Sequence, residues 1–421
     1  MSPTLPRDML GRSALLSVDE AQNILKRRLP GIRIGSETVS LHRSLGRITA
    51  QPVVAPEDLP PHPRSTMDGF AVRAADTFGA TETMPAYLTV TGEVRMGEFP
   101  ATGPESGCCY RIATGGLLPP GTDSVIMLEH TVRLDDTMIE VNRSIGGGTN
   151  VIGRGDDIAR GAEALPAHRR ISPRDLGLLA GLGIDEIRVF RRVRVGILAT
   201  GDEIVAPGES PPPGKIRNIN TIALEGLIRE MGQSATDYGI VADNREVFDR
   251  RLQKALAEND LVIFSGSSSV GSRDLGEQVL SELDDPGILV HGVAVKPGKP
   301  VIIAAHGNKL LFGLPGHPVS ALVCFDLFIR KSIETLAGLD DPRPRGRRVR
   351  GTLMRPLNSA AGRRDYVRVR LEESTDGVKV YPILAKSGAI SSLSRAHGYL
   401  IIGESSQGIE QYARVTVELF D

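Results

Sequence analysis

Between residue 191 and about residue 338, apolar runs typical of strands alternate with runs that have helical spacing. The pairs are RVRVGILAT with TIALEGLIREMG, SATDYGIV with REVFDRRLQKALAEN, and DLVIFSG with RDLGEQVLSEL; VAVKPGKPVIIA, KLLFGL and the helical PVSALVCFDLFIRKSIETLAG complete the region. The strand runs are continuously apolar rather than alternating, as in sheets that are covered on both faces. The pattern therefore predicts a layered α/β domain with a parallel-rich sheet.

Shorter β-type runs lie on both sides of this region. From about residue 50 to 155 they include AYLTVTGEV, CCYRIAT and DSVIMLEHTV, and from about residue 345 they include YVRVRL, VKVYPIL, YLIIG and ARVTVEL. These runs predict a small β-rich domain before the α/β domain and an all-β module after it. Helical spacing predicts helices over 14–30 and 172–183, the second with Ser172 as its N-cap.

A length of 421 residues predicts roughly two to four domains. Lys+Arg 50 against Asp+Glu 51 gives a net charge of -1, so we expect neither nucleic acid nor an anionic membrane as a partner. No window approaches the roughly 20 apolar residues of a membrane span, and no signal peptide is recognisable, so a cytoplasmic location is predicted. Cys108, Cys109 and Cys324 suit free thiols in a reducing compartment.

The loops after the predicted strands carry most of the side chains that are suited to chemistry. In an open α/β sheet these loops meet at one edge, where ligands bind. Acids there can hold a hard cation, and lysines and backbone amides can hold oxyanions, which indicates a site for phosphate or another tetrahedral anion. The candidates are Glu203, Asp243, Ser269, Asp274, Lys296, Lys299 and Ser320.

Each of these residues also has a purely structural interpretation. The acids are able to cap turns or helices, and Lys296 and Lys299 flank a Pro-Gly pair, which by itself is a common surface turn with solvated lysines. Two further clusters, PPHPRSTMDGFAVR with Asp68 and GRGDDIARG with Asp157, are equally compatible with ordinary loops. Only the combination favours a functional site.

Six motifs, in the order PRSTMDGFAV, GRGDDIARG, ATGDEIV, FSGSSSVGSRD, VKPGKP and GLPGHPVSA, resemble the molybdopterin molybdenumtransferase family of MoeA and gephyrin E-domain proteins. The likeness extends over nearly the whole chain, including TGGLLPPGTDSVIMLE and SGAISSLSRAHGYLII. It implies a homodimer that converts adenylylated molybdopterin and molybdate into molybdenum cofactor and AMP, assisted by Mg²⁺. It also implies a MogA-type adenylyltransferase and apo-molybdoenzymes as partners.

The same resemblance implies four domains in each subunit. Residues 14–50 and 156–190 would form a discontinuous helical and linker domain, and residues 51–155 an inserted β-rich domain. Residues 191–340 would form a MogA-like three-layer α/β domain that binds molybdopterin, and residues 345–421 a C-terminal β-barrel. The expected fold class is multidomain α/β plus β.

The resemblance also implies where molybdate binds. Lys296 and Lys299 are expected to hold this tetrahedral dianion, with the Pro-Gly turn fixing their spacing before the anion arrives. Further contacts are expected from Ser269, Arg368 and Ser387.

The family resemblance also implies roles for the acidic residues. Glu203 and Asp274 are the implied ligands of Mg²⁺ at the phosphate anhydride, and Asp68, Asp157 and Asp243 are further implied catalytic acids. The remaining implied substrate contacts are Thr114, Pro300, Ser320, Gly313 and Gly316.

The sequence departs from the family's usual residues at several positions. Serines replace a glycine and a valine of SGGVSVG, and the Cβ at the first of them can block a backbone conformation or a close ligand approach. Two alternatives therefore stay open: a hydrolase of another nucleotide phosphoanhydride, and a non-catalytic scaffold or diverged paralogue of the same fold. The departures are Ser267, Ser268, His291 in place of lysine, and His317 and Arg64 in place of asparagine.

Overall fold

The computed structural model describes residues 15–32, 34–266, 275–283, 285–339 and 347–420. The chain forms two compact units. The larger unit comprises Met1–Glu37, Gly46–Ile48 and Phe190–Asp421, and the smaller unit comprises Thr38–Leu45 and Thr49–Val189. The finer division into four domains stays a prediction.

The helix α1 (Val18–Arg28) starts where the sequence provides a cap. Ser17 Oγ accepts a hydrogen bond from the backbone N–H of Glu20 at 3.2 Å, and the Glu20 carboxylate accepts one from the Ser17 N–H at 2.7 Å. This capping box satisfies N–H groups that an α-helix leaves free at its start. The helix predicted over 14–30 is confirmed with a later start, and it ends in the 3-10 turn Leu29–Gly31.

The smaller unit consists mainly of short strands, as its Gly- and Pro-broken apolar runs predict. The strands that lie in it or overlap it are β1 (Ser36–Ser40), β2 (Val53–Val54), β3 (Arg64–Ser65), β4 (Gly69–Val72), β5 (Ala86–Glu93), β6 (Cys108–Ile112), β7 (Ser124–Met127), β8 (Thr131–Arg133), β9 (Met138–Val141), β10 (Val151–Ile152), β11 (Glu163–Leu165) and β12 (Glu186–Phe190). Six of them form one sheet in the order β7-β4-β6-β5-β9-β8. The sheet buries Phe70, Leu88, Ile126 and Ile139 in one core.

The helix α2 (Pro173–Gly181) lies in the smaller unit and has the predicted N-cap. Ser172 Oγ accepts a hydrogen bond from the backbone N–H of Asp175 at 3.3 Å, and the Asp175 carboxylate accepts one from the Ser172 N–H at 2.8 Å. Proline follows the cap at the first helical position, where it leaves no hydrogen bond unmade. None of the helices in the described part of the chain is both long and apolar enough to cross a membrane.

The α/β part of the larger unit contains the predicted alternation. Its strands are β13 (Arg194–Thr200), β14 (Ile204–Val205), β15 (Ile216–Arg217), β16 (Ser234–Val241), β17 (Leu261–Ser265), β18 (Pro286–His291), β19 (Val295–Lys296), β20 (Ile302–His306) and β21 (Lys309–Leu314). Its helices are α3 (Asn220–Glu230), α4 (Arg245–Glu258), α5 (Leu275–Ser281), α6 (Pro318–Cys324) and α7 (Arg330–Leu336), and a π-helical turn, Phe325–Ile329, joins the last two.

The sheet of this part has the order β16-β13-β17-β21-β20-β18. The first four strands are parallel, and the last two pairings are antiparallel. Successive side chains point to opposite faces, so Ile263 packs into the core with α3 and α6, while Phe264 packs into the core with α4 and α5. The predicted layered α/β fold with a parallel-rich sheet is confirmed.

The tail forms the predicted all-β module. Its elements are β22 (Arg348–Leu353), β23 (Leu357–Asn358), β24 (Arg364–Ser374), β25 (Gly377–Pro382), the short α8 (Ser391–Ser394), β26 (Gly398–Ile402), β27 (Gly408–Ile409) and β28 (Arg414–Leu419). The order β24-β25-β22-β28-β26 closes on itself because β26 also pairs with β24. Closure removes free sheet edges and gives a five-stranded barrel.

The segment VAVKPGKPVIIA contains two strands on either side of the predicted turn. Only the second of them, β20, joins the α/β sheet. The two residues of β19 pair in parallel with β24 of the barrel instead, with Lys296 opposite Asp365. The KPGKP turn therefore lies where the α/β part and the barrel meet. The edge strand β18 was not predicted from its short GILVH run.

Candidate functional site

A cavity of about 790 Å³ lies against the KPGKP turn in the larger unit. We call it the cation cavity, because five cationic side chains line it and Asp365 is the only carboxylate among its described lining residues. Three of the cations, Lys296, Lys299 and Arg368, are predicted molybdate contacts, as is Ser387 on the same wall. Pro300 and Ser320, also predicted, line it as well, and the remaining cations are Arg363 and Lys386.

The turn that carries the two lysines has a conformation that requires glycine. Gly298 has a φ of 119°, which side chains rarely adopt. A Cβ added there would lie 2.7 Å from Cys324 Sγ, and that thiol donates a hydrogen bond to Gly298 O at 3.4 Å. Burial raises the pKa of the Cys324 thiol, so it remains a neutral packing group. Lys296 and Lys299, on either side of this anchored turn, are exposed.

Arg368 is the buried cation of the cavity, with 7% of its surface exposed. It donates hydrogen bonds to Ser392 Oγ at 2.8 Å and to Ala385 O at 2.6 Å. Its Nε finds no acceptor among the residues that the structure describes. Desolvation lowers the pKa of Arg368, yet a guanidinium stays charged at any physiological pH. The cavity wall therefore contains a fixed positive charge, and the Nε–H of Arg368 is available to donate a further hydrogen bond.

A second cavity of about 410 Å³ lies at the carboxyl ends of the α/β strands. We call it the Glu203 cavity, because Glu203 is the carboxylate among its described lining residues. Glu203 is exposed and follows β13, as predicted for a loop at this edge. The predicted substrate residue Gly316 lines the cavity too, and Pro300 lines both cavities. Its other polar lining residues are Arg217, Asn218, Asn220, Ser265 and His317.

Backbone geometry shapes the Glu203 cavity. Gly266 has a φ of 119°, and a Cβ there would lie 1.9 Å from Thr200 O, so only glycine fits. Asn220 Nδ2 donates a hydrogen bond to Gly316 O at 3.0 Å, which fixes the GLPGHP loop. Asn220 is itself buried and was not recognised from the sequence.

His317 connects the linings of the two cavities. Its Nδ1 shares a hydrogen bond of 3.0 Å with Ser387 Oγ, and Ser387 lines the cation cavity. The backbone N–H of Val319 also donates to Ser387 O at 3.1 Å. The histidine that replaces the family's usual asparagine thus makes a polar contact to Ser387.

Other predicted residues of the larger unit lie apart from the two cavities. Gly313 lines neither of them: it lies within β21, where a Cβ would come 2.7 Å from the Phe264 ring, so packing accounts for this glycine. Asp243 is exposed after β16, and its backbone N–H donates to Asp202 Oδ1 at 3.1 Å. No group of three His, Cys, Asp or Glu side chains arranged for a metal occurs among the described residues.

Four predictions lie outside the described residues. They concern the Mg²⁺ ligand Asp274, the molybdate contact Ser269 and the departures Ser267 and Ser268. Of the remaining departures, His291 Nε2 lies 3.9 Å from Glu277 Oε2 in the larger unit.

Two predicted residues of the smaller unit contact each other directly. Asp68 Oδ1 accepts hydrogen bonds from the backbone N–H of Thr114 at 2.7 Å and from its hydroxyl at 2.9 Å. These two bonds hold the pKa of Asp68 below its usual range. Arg64, another departure, donates to Gly115 O in the same TGG turn at 3.2 Å. Asp157 is an exposed acid elsewhere in this unit.

Comparison with known families places the parts of the chain in one class. Residues 196–335 match the family model described as "Probable molybdopterin binding domain". Residues 16–183 match "MoeA N-terminal region (domain I and II)", and residues 350–420 match "MoeA C-terminal region (domain IV)". With a MogA-like α/β domain and a closed barrel, the chain is of the class of molybdopterin biosynthesis proteins.

Full-length relatives define the family. A protein of Methanocaldococcus jannaschii, named for molybdopterin biosynthesis, is 36% identical over 90% of this chain and 91% of its own. The molybdopterin molybdenumtransferase of Haemophilus influenzae is 30% identical over 97% and 99%. The crystal structure of the molybdopterin biosynthesis MoeA protein of Pyrococcus horikoshii has a TM-score of 0.82 at 34% identity and covers 97% of this chain and 99% of that one. The chain belongs to the MoeA family of molybdopterin molybdenumtransferases, which are enzymes of molybdenum cofactor biosynthesis.

Proposed function

We propose that this protein inserts molybdate into adenylylated molybdopterin and releases AMP in a Mg²⁺-dependent reaction. The observation that carries the proposal is the cation cavity, which brings Lys296, Lys299, Arg368 and Ser387 together on one wall. A tetrahedral dianion needs compact positive charges and hydrogen-bond donors, and lysines with a buried guanidinium and a hydroxyl supply both. Family membership supports molybdate as that dianion.

The Glu203 cavity supports the nucleotide half of the proposal. Mg²⁺ is usually held by one or two protein carboxylates together with substrate phosphates. The exposed carboxylate of Glu203 in a cavity that is otherwise mostly neutral fits this requirement, and Asp274 is the second predicted ligand. When bound, Mg²⁺ would offset charge that develops on the phosphate anhydride. Asn220, through Gly316 O, keeps the wall of this cavity in place.

The shared residue Pro300 supports a joint role for the two cavities. It directly follows Lys299 and lines both, so the anion and the nucleotide substrate would bind as neighbours. Asp68, Thr114, Asp157 and Asp243 remain proposed site residues, of which the first two are hydrogen-bonded. The proposal includes the homodimer, the cytoplasmic location, and the MogA-type adenylyltransferase and apo-molybdoenzymes as partners.

The direct test is a reconstituted reaction. Purified protein is mixed with adenylylated molybdopterin, MgCl₂ and molybdate, and both AMP release and transfer of cofactor to an apo-molybdoenzyme are measured. We expect both products, and we expect neither when Mg²⁺ is chelated or molybdate is omitted. AMP release that is the same with and without molybdate would indicate a phosphoanhydride hydrolase. No release under any condition would indicate a scaffold, and either result would overturn the proposal.

A further inference from the structure

The cation cavity contains one acid whose presence needs an explanation. The side chain of Asp365 is only 5% exposed and lies among the cations that line the cavity. Arg363 Nε donates a hydrogen bond to Asp365 Oδ1 at 2.9 Å, and Lys296 Nζ lies 3.8 Å from Oδ2. A carboxylate in an anion-binding cavity repels the anion, so on charge alone it should weaken binding.

The arrangement follows from sheet register. β19 pairs in parallel with β24, and this pairing sets Lys296 opposite Asp365. Arg363 lies in the bend directly before β24, from which its Nε reaches the carboxylate of Asp365 two residues later. The acid is fixed by burial, whereas the lysine side chain has a flexible four-carbon stem. Lys296 and Arg363 therefore share Asp365 as a partner.

We propose that Asp365 is a positioning residue that holds Lys296 and Arg363 on the wall of the cation cavity, and that Arg363 is a further oxyanion-binding side chain. The inference rests on the proposed function, in which molybdate occupies this cavity. Holding both cations in place before the anion arrives reduces the entropy lost on binding. The gain in preorganisation outweighs the repulsion from one shielded carboxylate.

The neighbouring residue provides a matched control. Arg364 pairs with Asp19 at 2.8 Å, and neither residue lines the cavity. Asp19→Asn and Asp365→Asn each remove one negative charge that is paired with an arginine at the start of β24. Only Asp365 also contacts the lysine of the cavity.

The experiment is calorimetric titration with sodium molybdate of the wild type, Asp365→Asn, Asp19→Asn and Arg363→Gln, with folding checked by circular dichroism. A purely electrostatic effect would make Asp365→Asn bind molybdate more tightly. Positioning predicts the opposite, a loss of about tenfold, while Asp19→Asn stays within about twofold. In the Lys296→Gln background, the loss caused by Asp365→Asn should fall to about threefold, because only the contribution through Arg363 then remains.

Equal or tighter binding by Asp365→Asn, or an undiminished effect in the Lys296→Gln background, would overturn the inference while leaving the proposed function standing. If Asp365→Asn does not fold, Arg363→Gln decides: a loss of about fivefold supports the inference, and unchanged affinity overturns it. If the wild type binds no molybdate, the proposed function fails and the inference fails with it.

Discussion

The two cavities of the larger unit differ in how they are built, although Pro300 lines both. The cation cavity takes its charged side chains from the KPGKP turn and from the barrel, and its cations outnumber its one described acid. The Glu203 cavity lies at the strand ends of the α/β sheet, and its described lining residues include one carboxylate, one arginine and mostly neutral polar groups. The first is suited to a small anion, and the second to a cation and a large neutral or phosphorylated group.

The two cavities also differ in the parts of the fold that form them. The cation cavity lies beside β19, which pairs with β24 of the barrel and not with the α/β sheet. Its charges therefore depend on the position of the barrel. The Glu203 cavity depends on loops of the α/β sheet. Gly266 allows one of them to pass close to the backbone of Thr200, and Asn220 holds another by a hydrogen bond to Gly316 O. Changes in one cavity should therefore leave the binding function of the other intact, and the following variants test that separation.

The largest effect is expected from Glu203→Gln. A neutral amide is a poor ligand for Mg²⁺, and loss of several kcal/mol of charge stabilisation should slow AMP release about 1,000-fold. Molybdate affinity should stay unchanged, because Glu203 does not line the cation cavity. Single-turnover AMP release measures the effect, with the exposed Glu209→Gln as the control. Full activity of Glu203→Gln would remove this acid from the site.

The next effect is expected from the double variant Lys296→Gln, Lys299→Gln. Loss of two positive charges should weaken molybdate binding about 100-fold, which corresponds to about 1.4 kcal/mol per lysine. Affinity for adenylylated molybdopterin should change little, because its nucleotide half is assigned to the Glu203 cavity. Calorimetry with each ligand separates the two results. The exposed Lys254→Gln on α4 tests for a general charge effect, and a parallel loss of both affinities would show that the cavities are not independent.

A smaller effect on stability is expected from Gly298→Ala. The new Cβ would meet Cys324 Sγ at 2.7 Å in a backbone conformation that disfavours side chains. We expect a loss of about 2 kcal/mol in the free energy of unfolding, measured by urea denaturation. Gly377 has a similar φ of 107° and only Arg414 Nη1, at 4.0 Å, near an added Cβ, so Gly377→Ala isolates the conformational part of the cost. Equal losses in the two variants would argue against a close contact at the KPGKP turn.

Much of the fold was predictable because its signals are local. Continuous apolar strands alternating with helices define the parallel-rich sheet, and Ser172 marks the start of α2. The gathering of Lys296, Lys299, Arg368 and Ser387 was expected from the family's motifs, and the structure brings them to one cavity.

The remaining features depend on contacts between distant parts of the chain. The pairing of β19 with β24 involves only two residues of each strand, which is too short for a periodic pattern in the sequence. Asp365 and Arg363 lie beside the site only through that pairing, although the charged RRD at the start of an otherwise apolar strand was an available signal. Gly313 is expected at the substrate from its motif; the structure shows that an added Cβ there would meet the Phe264 ring, and its substrate role stays a prediction.

The most direct test of separate cavities is a crossed titration. Molybdate binding is measured by calorimetry for the wild type, the double lysine variant and Glu203→Gln, each at low and at high ionic strength. We predict about 100-fold weaker binding for the lysine variant only, and a loss of affinity with salt that is steepest in the proteins that keep both lysines. Unchanged molybdate affinity in the lysine variant, or an equal loss in Glu203→Gln, would contradict it.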